Sequence, residues 1–126
     1  MAVELNHTIV KVRDKHASAA FYAEVLGLPA YTTYGPFTVV TLANSATLDF
    51  MEDGPVHSQH YAFLVSEDEF DAIRDRITAR GLTYWGDPAR RMVNEVNHAD
   101  GGRGLYWEDP DGHFLEIITR PYGSGQ

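Results

Sequence analysis

One pattern of hydrophobic and polar positions occurs twice along this chain. Residues 5–12, LNHTIVKV, are β-branched and apolar and read as a strand. DKHASAAFYAEVLGLP follows with helical periodicity. Asp14 stands at its N-cap position, Phe21, Tyr22, Val25 and Leu26 form an apolar stripe, and Gly27 and Pro29 stop it. Short strands are predicted over 31–34, 37–42 and 47–51, punctuated by Gly35-Pro36 and Ala43-Asn44-Ser45. After the linker EDGPVHS the order restarts. QHYAFLVS is a strand, and SEDEFDAIRDRITARG is a helix with a capping box of Ser66 and Glu69 and a stripe of Phe70, Ile73 and Ile77. LTYWG is a short strand, 87–102 a polar loop, and 104–107 and 113–119 the closing strands, joined by an Asp-Pro-Asp-Gly turn.

The chain is therefore an α+β protein, read as one domain over 1–126 built from two βαβββ modules, about 4–52 and about 58–120. The copies align at both ends: Asn6-His7 with Gln59-His60, and Leu48-Asp49-Phe50 with Leu115-Glu116-Ile117. In each copy the helix covers one face of the sheet, and the other face is left to curve around something else.

Side chains alternate along a strand, so Leu5, His7 and Ile9 share a face, as do His60, Ala62 and Leu64, Thr47, Asp49 and Met51, and Phe114, Glu116 and Ile118. Two histidines and two carboxylates thus recur at matched places. Glu116, a carboxylate inside an apolar strand, needs a partner. A lone strand histidine is more often a core residue than a ligand, and a lone strand glutamate more often pairs with Lys or Arg. Their repetition favours a divalent metal ion shared by His7, His60 and Glu116, with Asp49 beside them. Neutral imidazoles with carboxylates suit Zn, Ni, Fe, Co or Mn, and ligands on rigid strands leave positions open for substrate.

Composition narrows the class. Formal net charge is -8, with no basic run, so nucleic acid is not an expected partner. No apolar stretch is long enough for a membrane span, and the N-terminal residues lack the pattern of a signal peptide. Zero cysteines exclude disulfides and thiolate chemistry from this chain. The expectation is a cytoplasmic protein acting on a small molecule.

LNHTIVKVRD…FYAEVLGL, QHYAFLVS and GLYWEDPDGHFLEII resemble the vicinal oxygen chelate superfamily, which includes glyoxalase I, extradiol dioxygenases, fosfomycin-inactivating thiol transferases and bleomycin-resistance proteins. The resemblance spans about residues 4–120 and implies two βαβββ modules forming a U-shaped mixed sheet around one divalent metal. It implies His7, His60 and Glu116 as ligands, and Asp49 as the fourth where glyoxalase I has a glutamate. Tyr106 matches the tyrosine of the thiol transferases, whereas Ile9 stands where they have threonine, and Val96, Asp100 and Gly104 where they have lysine and serines. The main reading is a glyoxalase I-type lyase or isomerase with Glu116 and Tyr106 as catalytic residues. The alternatives are a non-haem iron extradiol-type dioxygenase, a metallothiol transferase, or a metal-free ligand-sequestering protein. A homodimer is expected, because the sheet leaves apolar edges that one small chain does not cover.

Arg103 and Arg120 could meet an anionic substrate, but solvated edge positions are the plainer reading. His98 could belong to a lid formed by 87–102, and His16 and His57 read as exposed. Trp85 and Trp107 read as core or dimer interface. His113, on the face opposite Glu116, is not counted as a ligand.

Overall fold

A computed structural model describes residues 2–125 and divides the chain into two units, Met1–His57 and Ser58–Gln126. The first unit holds β1 (His7–Lys11), α1 (Lys15–Leu26), β2 (Thr32–Tyr34), β3 (Phe37–Thr41) and β4 (Thr47–Met51). Asp14 caps α1 by accepting from the backbone N–H groups of His16 at 3.1 Å and Ala17 at 3.0 Å. Gly27 closes it in the left-handed region at φ 71°, where a side chain would be strained. The sheet order is β1-β4-β3-β2; β1 and β4 are parallel and the other pairs antiparallel. Helix α1 packs on β3 and β4, burying Tyr22 and Val25 with Val10, Val40, Leu48 and Phe50. The Tyr22 and Phe50 rings lie 4.8 Å apart.

The second unit holds β5 (His60–Leu64), α2 (Glu67–Ala79), β6 (Gly104–Glu108) and β7 (Phe114–Ile118), in sheet order β5-β7-β6. Here β5 and β7 are parallel, and β7 and β6 antiparallel. The capping box forms as expected: Glu69 N–H donates to Ser66 Oγ at 3.1 Å, and Ser66 N–H to Glu69 Oε1 at 2.9 Å. Helix α2 buries Phe70, Ile73 and Ile77, and Leu105, Trp107, Leu115 and Ile117 are buried in the sheet. Trp107 is thus a core residue of its unit.

The strand expected over 82–86 is reduced to Trp85, which bridges to Tyr106 and Val93. Its local cause is Asp87, whose Oδ1 accepts from the backbone N–H groups of Arg91 at 2.9 Å and Met92 at 2.8 Å. That turn reverses the chain before a second ladder pair can form. The loop 87–102 is accordingly a hydrogen-bonded structure. Asn97 Nδ2 donates to the Gly86 carbonyl at 2.8 Å, and its backbone exchanges two bonds with Gly104.

The internal repeat holds at the level of register. In the first unit His7 lies opposite Thr47, and Ile9 opposite Asp49. In the second His60 lies opposite Phe114, and Ala62 opposite Glu116. Each histidine thus opens the strand that runs parallel to a carboxylate-bearing strand, with the carboxylate one same-face step further along. These faces are open: Leu5 is 72% exposed, Ile9 44% and Leu64 61%. No described helix is long and apolar enough to cross a membrane.

Candidate functional site

The Asp-Pro-Asp-Gly turn positions Glu116. Asp109 Oδ1 accepts from the His113 N–H at 2.8 Å and from Asp111 N–H at 2.9 Å, and Gly112 takes φ 84°. This turn sets the β6–β7 register, in which Tyr106 faces Glu116 directly. His113 is fully buried, and its Nδ1 accepts from the Gln59 N–H at 2.9 Å, which ties the start of β5 to β7. Its role is structural, as its opposite-face position implied.

Glu116 is 1% exposed. His60 Nε2 lies 3.1 Å from its Oε1. The other ring nitrogen, His60 Nδ1, is 3.0 Å from the Phe114 carbonyl, which can only accept. Nδ1 therefore carries the proton, and in the neutral ring Nε2 presents a lone pair to a carboxylate oxygen. Two acceptors at this distance require a positive species between them, a proton or a metal ion. A fixed Nδ1–H and a free Nε2 are also what a metal-ligating histidine needs, and the 3.1 Å spacing suits neighbouring positions on one ion with bonds of about 2.0–2.2 Å. His60 Nε2 and Glu116 Oε1 are two donors of the kind a divalent metal takes.

Two phenols complete the surroundings of Glu116. Tyr122 Oη lies 2.7 Å from Oε1 and 2.8 Å from Oε2. Tyr106 lies beside Tyr122 and Glu116, and its ring stacks on Phe114 at 5.2 Å and on His60 at 6.1 Å. Burial, then the bond to Tyr122 and the charge of Glu116, hold Tyr106 far above the usual tyrosine range. Burial and the bond to Glu116 also raise Tyr122. Both phenols are thus held neutral, and Tyr122 donates to the carboxylate. A cavity of about 320 Å³ opens beside them, lined by Met92, Asn97, Tyr106, Glu116, Arg120 and Tyr122. This volume is at the lower end of the range for small-molecule pockets.

The other two candidate ligands belong to the first unit and make separate bonds. His7 Nδ1 meets Asn6 Oδ1 at 2.7 Å, and Thr47 Oγ1 donates to Asp49 Oδ1 at 2.7 Å. Asp49 is 9% exposed. Its side chain is one methylene shorter than that of Glu116, so it reaches less far from its strand. Among the described residues no group of three or more His, Asp or Glu side chains is arranged to hold a metal. Arg103 is held by α2: Nε donates to Glu67 Oε1 and Nη1 to Asp71 Oδ1, both at 2.8 Å, with its guanidinium 4.4 Å from the Phe70 ring centre. It is therefore an anchor for the helix. Arg120 remains an exposed cation on the cavity wall.

Sequence reasoning missed Tyr122, which sits in a Gly- and Ser-rich tail. The signal available was a lone aromatic residue among turn formers. It also missed Arg90, which lies over the Phe114 ring at 4.5 Å and the Trp85 ring at 5.2 Å while Nη2 donates to Glu108 Oε2 at 2.7 Å.

A sequence model described as Glyoxalase/Bleomycin resistance protein/Dioxygenase superfamily matches residues 4–117. Glutathione transferase FosA of Serratia marcescens is 31% identical over 125 residues, covering 93% of this chain and 81% of that protein. Among solved structures, the oxidase ChaP-H1 is 60% identical with a TM-score of 0.95, covering 97% of this chain and 99% of that one. The oxidase ChaP-H2 is 58% identical with a TM-score of 0.96 and full coverage of both chains. Match length and identity together show that the chain belongs to the Glyoxalase/Bleomycin resistance protein/Dioxygenase superfamily.

Proposed function

We propose that the protein is a metal-dependent oxidase of the vicinal oxygen chelate type acting on a small oxygen-rich substrate. The observation that carries this reading is the His60–Glu116 pair, with its tautomer fixed by the Phe114 carbonyl. The choice of an oxidation rests on the similarity to the ChaP-H1 and ChaP-H2 oxidases over nearly the whole chain. A glyoxalase I-type lyase has less support, since the relatives of highest identity named above are two oxidases and a thiol transferase. Thiol transfer is the second reading, favoured by the similarity to FosA and by the placement of Tyr106. Against it stand Ile9, Val96, Asp100 and Gly104.

The proposed ligand set is His60 and Glu116, with His7 and Asp49 as the register-equivalent pair. A bound divalent ion would supply Lewis acidity toward substrate oxygens, and a redox couple if it is iron. The chain's own residues would do the rest. His60 is oriented by its Nδ1–H, Tyr106 offers a neutral hydroxyl beside the carboxylate, and the Phe114 ring stacks behind the Tyr106 ring. Elemental analysis of purified protein should find about one divalent ion per chain. Oxygen uptake measured over catechols, α-hydroxy ketones and hemithioacetals tests the reaction. Turnover of a hemithioacetal without oxygen would return the protein to the lyase class.

Asp49 tests the ligand set further. Asp49→Asn keeps the shape and the Thr47 bond while removing the charge. Metal affinity should fall by about 10–100-fold, the usual loss for a supporting ligand. Unchanged affinity in a metal titration would leave Asp49 as a structural partner of Thr47. A homodimer is proposed on the exposed Leu5, Ile9 and Leu64, which lie along the two histidine-bearing faces. Light scattering at micromolar concentration should give twice the 14.1 kDa chain mass; a monomer contradicts the proposal.

A further inference from the structure

The superfamily match ends at residue 117, and β7 ends at Ile118. The chain continues through Arg120 and Pro121 into a turn in which Ser124 N–H and Oγ both bond the Pro121 carbonyl, at 3.1 and 2.7 Å. Asp100 holds this segment from outside: its Oδ2 accepts from the Gly123 N–H at 3.1 Å and its Oδ1 from the Gly125 N–H at 3.3 Å. Asp100 itself sits at φ 57°, a left-handed conformation that aspartate tolerates better than most residues. The segment delivers one side chain inward. The Tyr122 side chain is largely exposed, yet its hydroxyl lies within 2.8 Å of both oxygens of the buried Glu116.

That position decides what else Glu116 can hold. A hydroxyl equidistant from both carboxylate oxygens fills the fork between them. A cation bound to both oxygens would occupy the same place, and a hydrogen-bond donor and a cation repel one another there. We propose that the segment 119–125 is a strap, latched by Asp100, whose Tyr122 hydroxyl competes with a cation for the fork of Glu116 and whose release accompanies occupation of the site. The proposal rests on the metal-site reading of His60 and Glu116. It assigns to Tyr122 and Asp100 a gating role, and it accounts for a largely exposed tyrosine whose hydroxyl ends on a buried carboxylate. It also makes Tyr122 a movable wall of the neighbouring cavity, so the strap's release widens access to Tyr106 and Glu116 together.

The test is Mn²⁺ binding by the full chain, read by calorimetry, with amide hydrogen exchange of Gly123 followed in the same samples. Tyr122→Phe should bind Mn²⁺ about tenfold more tightly than the wild type, the size of one hydrogen bond to a charged group. In the wild type, Mn²⁺ should raise the exchange rate of the Gly123 amide severalfold. Tyr122→Phe that binds equally or more weakly, or a Gly123 amide that stays protected with Mn²⁺ bound, overturns the competition. Failure of the metal site itself shows differently: His60→Ala would then bind Mn²⁺ as the wild type does. In that case metal-free Tyr122→Phe still decides the strap, because loss of the phenol should deprotect Gly123 severalfold, and unchanged protection refutes the latch.

Discussion

His60→Ala should lose bound metal by more than about 100-fold in affinity and lose turnover with it, a larger effect than the 10–100-fold that follows removal of a supporting residue. The reason lies in which atoms His60 uses. Its Nδ1–H is committed to the Phe114 carbonyl, so Nε2 has no role in the backbone scaffold and is aimed at Glu116. The side chain is 47% exposed, so its removal leaves no cavity in the core. The single scaffold bond lost is worth about 1 kcal/mol, and the unfolding midpoint in urea should shift only slightly. A structural histidine would show the reverse pattern, with stability lost and chemistry kept. His60→Ala protein that retains wild-type metal content by elemental analysis would remove the centre from this part of the fold.

The sequence made the repeat legible because strand alternation and parallel pairing convert spacing into placement. Once β1 pairs with β4 and β5 with β7, a histidine at the first position and a carboxylate at the third fall on one face in both units. Asp14 and the Ser66–Glu69 pair were legible for a similar reason, since capping depends only on local spacing. The difference between Asp49 and Glu116 was legible in side-chain length, but not in the partners each carboxylate takes. Alignment treats them as equivalents, but side-chain length and the hydroxyl of Thr47 two residues before Asp49 give the first unit a hydrogen-bonded carboxylate where the second has a histidine contact.

What lay beyond reach depended on backbone conformation that residue identity does not announce. Arg90 and Asn94 both take positive φ, at 61° and 55°, within a loop whose side-chain-to-backbone bonds run from Asp87 and Asn97. Those conformations bring Arg90 over Phe114. The Tyr122 contact needs Asp100 in the left-handed region and a turn over 121–124, so no periodicity could have placed a phenol on Glu116. Likewise the polar segment after Trp85 gave turn residues but not the immediacy of the reversal at Asp87, which is why a strand was expected where Trp85 forms two isolated bridges.

Glu116→Gln separates chemistry from architecture most sharply, because the replacement is isosteric. The glutamine carbonyl can still accept from the Tyr122 and Tyr106 hydroxyls, and its NH₂ can donate to the lone pair of His60 Nε2. Each buried polar group around position 116 therefore keeps a partner. Unfolding free energy should change by no more than about 1 kcal/mol. Glu116→Ala removes those acceptors, leaves two phenols and an imidazole facing a void, and should cost about 1–3 kcal/mol or more for the unmet groups. Metal affinity and turnover should behave otherwise. An amide carries no charge and binds divalent cations weakly beside a carboxylate, so Glu116→Gln should lose metal by roughly 100-fold or more, at least as much as the loss of a supporting group. It should lose oxygen uptake to the same extent as Glu116→Ala despite the difference in stability. Parallel calorimetric metal titrations and urea unfolding of the two variants give the comparison. Activity that follows stability across the pair, with Glu116→Gln active and Glu116→Ala impaired, would make Glu116 a structural acceptor for the two tyrosines and withdraw it from the chemistry.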